Sequence, residues 1–118
     1  MGGCLSRLPT SSGDPLPAVT TEAQLQQAVI DAAHTFGWVV HHVKPARTPD
    51  GKYLTRIAGD AGFPDLVLAR AGEVVFVELK SKVGRVRPEQ KVWAEALPEV
   101  LVWRPEQWMD GTVIRRLR

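Results

Sequence analysis

Cysteine is almost missing from this chain of 118 residues. Its single cysteine, Cys4, excludes an intrachain disulfide and any cysteine-based zinc site. That pattern fits a reducing interior. Long hydrophobic runs are missing as well. No stretch approaches the roughly 20 apolar residues of a membrane span, and no secretory signal opens the chain, so the expected location is cytoplasmic. Internal repeats are absent, which excludes a solenoid or a propeller. A strong charge of one sign is lacking too: a formal net charge of +2 does not by itself point to nucleic acid. What the chain does have is 44% hydrophobic residues, enough for one core, and a length that suits one domain and not two.

Residues 1–19 are rich in Gly, Ser and Pro with no apolar period, and read as a flexible tail ahead of a domain over 20–118. The opening Met1-Gly2-Gly3-Cys4-Leu5-Ser6 fits the N-myristoylation pattern, with Cys4 placed for a second acyl chain. Short runs of small and polar residues match this pattern by chance often, so an unmodified start is expected. A lipid-anchored interaction protein stays as an alternative.

Thr21-Glu22-Ala23-Gln24 is a capping box, and Leu25, Ala28, Val29, Ala32 and Phe36 follow at helical spacing to a stop at Gly37. This predicts a helix over about 21–36, with Glu22, three residues before Leu25, on its buried edge. Gly37 to Val43 has strand composition. Residues 45–62 hold Thr-Pro-Asp-Gly and several glycines and predict a loop carrying Arg47, Lys52 and Arg56. Asp65 to Ala69 and Val74 to Lys80 predict an antiparallel hairpin around Arg70-Ala71-Gly72-Glu73. Pro88 opens a second helix to about Leu97, with Val92, Trp93 and Ala96 expected on its inner face. Val100 to Trp103 predicts a fourth strand, Glu106 to Met109 one helical turn, and Thr112 to Ile114 an edge strand. The expected fold is α/β in the order α-β-β-β-α-β, a mixed sheet flanked by helices. Trp93 and Trp103 are expected in the core, while Trp38 and Trp108 are left open.

Chemistry concentrates at Gly62-Phe63-Pro64-Asp65 and Glu78-Leu79-Lys80. Alternation along a strand puts Glu78 and Lys80 on one face and Leu79 on the other. Asp65 opens the partner strand, so it falls beside them. Phosphodiester hydrolysis needs such a set. Mg²⁺ takes hard oxygen ligands, which Asp65, Glu78 and the Leu79 carbonyl can supply, with Glu22 reaching the metal through water or holding a second cation. A cation there polarises the phosphate and activates water, and Lys80 orients that water or neutralises transition-state charge. Singly, each residue has an ordinary structural explanation: a turn aspartate, a weak surface ion pair, a helix-start glutamate. Jointly they favour chemistry, because Val74-Val75-Phe76-Val77 reads as a strand buried on both faces, where charges are costly unless paired or metal-bound. Between Lys44 and Arg87 there are nine bases against five acids. Lys82, Arg85 and Arg87 follow the strand and are candidates for phosphate contacts, as are Arg47, Lys52 and Arg56. His41 and His42 point to opposite faces, so at most one of them faces the site.

Gly-Phe-Pro-Asp-Leu-Val-Leu, Val-Phe-Val-Glu-Leu-Lys and Arg-Pro-Glu-Gln-Lys-Val-Trp together resemble the virus-type replication-repair nuclease (VRR-Nuc) domain of the PD-(D/E)xK superfamily. The resemblance covers roughly 21–105. It implies a restriction-endonuclease-like core and Mg²⁺- or Mn²⁺-dependent cleavage of DNA. Glu22, Asp65 and Glu78 match the family acids, Lys80 the lysine and Gln90 the helix glutamine. Compact members resemble phage proteins, act on branched DNA such as four-way junctions or flaps, and often dimerise. The rival on the same fold is a non-catalytic DNA-binding module. The set Glu22, Asp65, Glu78 and Lys80 argues against it, since a binder gains nothing from carboxylates near phosphates.

Overall fold

The computed structural model describes residues 18–43, 46–47, 49–51, 53–54 and 58–118. The tail predicted over 1–19 lies outside these except at its end, where Val19 is buried in the same core cluster as Leu25. The core therefore draws on a residue ahead of the capping box.

Helix α1 spans Glu22–Thr35 and begins as expected: the Thr21 hydroxyl accepts from the Gln24 N–H at 3.1 Å, and Gln24 Oε1 accepts from the Thr21 N–H at 3.2 Å. Its end is a Schellman motif. Gly37, at φ +87°, donates to the His34 carbonyl, and Trp38 donates to that of Ala33. Leu25, Val29, Ala32 and Ala33 form its buried stripe.

Strand β1 (Val39–His42) is followed by a separate two-stranded ladder of β2 (Ala46–Arg47) and β3 (Tyr53–Leu54). The hairpin is β4 (Leu66–Arg70) and β5 (Glu73–Leu79), paired antiparallel from Leu66 opposite Val77 to Arg70 opposite Glu73. Its tip, Ala71-Gly72, has both φ angles positive (51° and 83°), as the twist-matched two-residue turn requires. Helix α2 (Pro88–Ala96) crosses from β5 to β6 (Val100–Trp103), and these two strands pair in parallel. The sheet runs β1-β4-β5-β6 and is mixed, as expected for an α/β chain of this element order.

Two short helices close the chain, α3 (Pro105–Met109) and α4 (Thr112–Leu117). The edge strand expected at Thr112 to Ile114 is thus a helix. Gly111 turns the backbone at φ +86°, the Thr112 N–H donates to Asp110 Oδ1 at 2.8 Å, and Val113 and Leu117, four residues apart, are both buried. Three β-branched residues in a row resemble a strand only when Leu117 is ignored.

The two faces of the sheet differ. Leu66, Leu68, Val75, Val77, Leu79 and Trp103 point to one side, where α1, Trp38, Trp108, Val113 and Leu117 cover them. On the other side Val39 and Val74 are exposed and Phe76 is half-buried. The strand expected to be buried on both faces is so only at its end, from Val77 onward. Cover on this second face comes from Phe63, edge-on to both Phe76 and Trp93 at 6.0 and 4.9 Å between ring centroids. The inner face of α2 also differs from expectation. Gln90 is its buried residue, Trp93 is half-buried, and Val92 and Ala96 are exposed.

Candidate active site at the covered end of the hairpin

The hairpin register decides the site. Leu66 pairs with Val77, so Asp65, one residue earlier, falls opposite Glu78 on the partly open face. Asp65 is half-buried, and its Oδ2 accepts the Leu79 N–H at 2.8 Å. The residue whose carbonyl is an expected metal ligand, Leu79, is therefore tied to one of the acids through its own amide. Pro64 before it is buried, and Gly62 allows the chain to pass close to α2. A Cβ at Gly62 would sit 2.5 Å from the Glu89 carbonyl group, and its φ of +96° also favours glycine. The Trp93 indole N–H ties the same approach by donating to the carbonyls of Asp60 and Ala61. Trp93 thus straps a loop to α2 and is not a core residue. Trp103, Trp38 and Trp108 are in the core.

Glu78 is 2% exposed, and its Oε1 has no hydrogen-bond partner. Burial, first, and then the hydrogen bond and negative charge of Asp65 push its carboxyl from the ordinary 4.5 up to about 9. The positive charges of Lys80 and Arg87 pull the other way without offsetting this. In the protein without a cation, Glu78 therefore holds a proton at neutral pH. A buried carboxyl with an orphaned oxygen beside a second carboxylate is an arrangement that a hard divalent cation satisfies.

Lys80 continues the alternation past the end of β5 and is 8% exposed. Its Nζ donates to Gln90 Oε1 at 2.7 Å, and it makes no ion pair with either acid. Gln90, 7% exposed, also accepts the Arg87 N–H at 2.9 Å through the same oxygen. One amide oxygen thus starts α2 and holds the lysine. Because this partner is neutral, the ammonium charge is fixed in place without being cancelled.

Asp65, Glu78, Lys80 and Gln90 are brought together. Glu22 is different: it is exposed in the first turn of α1, not on a buried edge, because Val19 and Leu25 fill the core below it. Among the described residues no three His, Cys, Asp or Glu side chains gather as a metal-ligand group. No family model matches this chain, and neither does any curated protein or solved structure.

The flanking residues follow from strand parity. His41 lies on the site face and is exposed, while His42 lies on the opposite face with its Nδ1 3.2 Å from the Asp65 carbonyl. Lys82, Arg85 and Arg87 are all exposed, with Arg87 in a solvated ion pair to Glu89 at 3.1 Å. Arg47 is placed in β2, and Lys52 and Arg56 lie outside the described residues. One residue passed over in the sequence is Arg104, whose guanidinium donates to the carbonyls of Ser81 and Gly84. Its only sequence signal is its place at the end of β6, the strand beside Lys80. No helix among the described residues is long and apolar enough to cross a membrane.

Proposed function

We propose that this chain is a divalent-metal-dependent DNA nuclease with a restriction-endonuclease-like core. The observation that carries the proposal is the pair Asp65 and Glu78 with the buried Lys80 beside it: two acids opposite each other at the end of the hairpin, one of them buried with an orphaned oxygen. Hard oxygen donors of this kind suit Mg²⁺ or Mn²⁺. Asp65 and Glu78 would hold the ion, with the Leu79 carbonyl as third ligand. Such a cation supplies Lewis acidity at a phosphate oxygen and makes nearby water more acidic.

The chain's own residues do the rest. Lys80, its charge uncancelled by the Gln90 amide, stabilises the negative charge that builds on the phosphoryl oxygens in the transition state. Gln90 positions that lysine and does not reach the acids through any hydrogen bond. Lys82, Arg85 and Arg87, exposed in the segment that follows β5, supply phosphate contacts. Glu22 enters only as a water-mediated or second-cation ligand. Preference for branched DNA, dimerisation and a phage setting belong to the VRR-Nuc resemblance alone.

The deciding experiment is cleavage of labelled four-way junction, flap, duplex and single-stranded DNA with Mg²⁺, Mn²⁺ or EDTA. Wild type is run beside Asp65→Asn, Lys80→Ala and Glu22→Ala. Metal-dependent cutting lost in the first two variants supports the assignment, and the Glu22 variant tests the third acid. Binding without cutting under every condition would leave a DNA-binding module.

A further inference from the structure

A loop that displays three like charges repels itself and loses conformational entropy when it is held in one shape. Residues 81–87 form such a loop between β5 and α2, with Lys82, Arg85 and Arg87 exposed. Both its ends are fastened. At the far end the Arg87 N–H donates to Gln90 Oε1, the oxygen that also takes Lys80. At the near end Gly84 N–H donates to the Ser81 hydroxyl at 2.9 Å, and Arg104 Nη1 donates to the carbonyls of Ser81 at 2.8 Å and Gly84 at 2.6 Å.

Arg104 is well rooted for this task. Leu79 pairs with Trp103 and the Lys80 N–H donates to the Trp103 carbonyl, so Arg104 leaves the sheet directly beside Lys80. Its own N–H donates to Gln107 Oε1 at 2.7 Å, and Pro105 opens α3 after it. The guanidinium is half-buried and turned onto backbone carbonyls. A cation in this position both satisfies the carbonyls of a tight turn and holds the turn against the sheet.

We propose that Arg104 is a positioning residue that holds the 81–87 loop so that Lys82 and Arg85 meet DNA phosphates beside the acid pair. This rests on the nuclease assignment above. The test uses the full chain with Arg104→Met, which keeps length but no donor, and Arg104→Lys, which keeps charge and donors. Two readouts are combined. Without DNA, trypsin nicking after Lys82 and Arg85 and amide exchange over 81–87 report the loop. With DNA in EDTA, affinity for four-way junction and duplex is measured as a function of salt.

Arg104→Met is expected to open the loop to trypsin and exchange. It is also expected to weaken DNA binding about tenfold and to flatten the salt dependence by about one ion, with Arg104→Lys in between. In a chain already lacking Lys82 and Arg85, Arg104→Met adds nothing, because it acts through them. Full additivity there would mean that Arg104 meets DNA by itself, and would overturn the proposal. So would an unchanged loop, or a loosened loop with unchanged affinity. A wild type that binds none of these DNAs defeats the nuclease assignment and this proposal together, whereas a wild type that binds as its variant does defeats this proposal alone. Thermal melting screens the variants, and if Arg104→Met does not fold, Arg104→Lys carries the same comparison at smaller size.

Discussion

The two faces of the one sheet obey different rules. On the closed face Leu66, Leu68, Val75, Val77 and Leu79 meet α1, α3 and α4 in a packed hydrocarbon core. On the other face the same strands leave Val39 and Val74 in solvent, then bury Glu78 and Lys80, the lysine held by Gln90 of α2. The closed face leaves one polar atom without a partner, the Trp108 indole nitrogen, whereas the other buries an acid with an orphaned oxygen and an ammonium that pairs with no carboxylate among the described residues. Clustered ionisable groups at buried positions are the ground on which the nuclease proposal rests.

The sharpest break of this comparison is chemical. Asp65→Asn or Lys80→Ala is expected to lower metal-dependent DNA cleavage by about 10³-fold or more while leaving the melting temperature near wild type. A drop in activity matched by unfolding would move these residues to the structural side.

Next comes stability. Leu68→Ala on the closed face is expected to cost about 2–5 kcal/mol in denaturant unfolding. Val74→Ala on the exposed face, at 54% exposure, is expected to cost about 1 kcal/mol or less. Equal costs would mean that the second face is covered in solution.

A pH profile sharpens the same contrast. The Glu78 carboxyl binds its proton more tightly in the folded chain, so its contribution is complete below pH 4.5 and is lost as pH rises toward about 9. Metal-free stability should therefore fall across that window, by up to ~1.4 kcal/mol per pH unit for one proton, and Glu78→Gln should flatten it. Mg²⁺ or Mn²⁺ binding should release a proton at neutral pH, read by titration calorimetry in buffers of different ionisation heat. A flat profile in wild type would show that Glu78 is ionised without a cation.

The smallest effect lies at the hairpin tip, far from the site. Ala71 adopts φ 51°, so Ala71→Asn, completing an Asn-Gly turn, should stabilise by about 1 kcal/mol with activity unchanged. A loss of stability would show that the Ala71 methyl makes a contact worth more than the strain.

Much of this was legible along the chain because it is local. Thr21 and Gln24 cap each other three residues apart, Gly37 ends a helix by its own backbone freedom, and alternation puts Glu78 and Lys80 on one side of a strand. None of these depends on anything distant. Composition is a poorer guide to burial. Val92 and Ala96 are apolar but face solvent, Glu22 is near a buried leucine but exposed, and Thr112 to Ile114 joins a helix because Leu117 finds the core.

By itself, then, the sequence determined the first helix, the four strands of the main sheet with the helix between the last two, the hairpin turn and the identity of the residues at its covered end, since spacing and capping act within a few bonds. Only the tertiary structure decided which sheet face is sealed, that Gln90 seats Lys80, and that Arg104 reaches back to Ser81 and Gly84. These depend on parts of the chain brought together by packing. Burial, and with it the raised proton affinity of Glu78, belongs to that assembled neighbourhood and to no single stretch of residues.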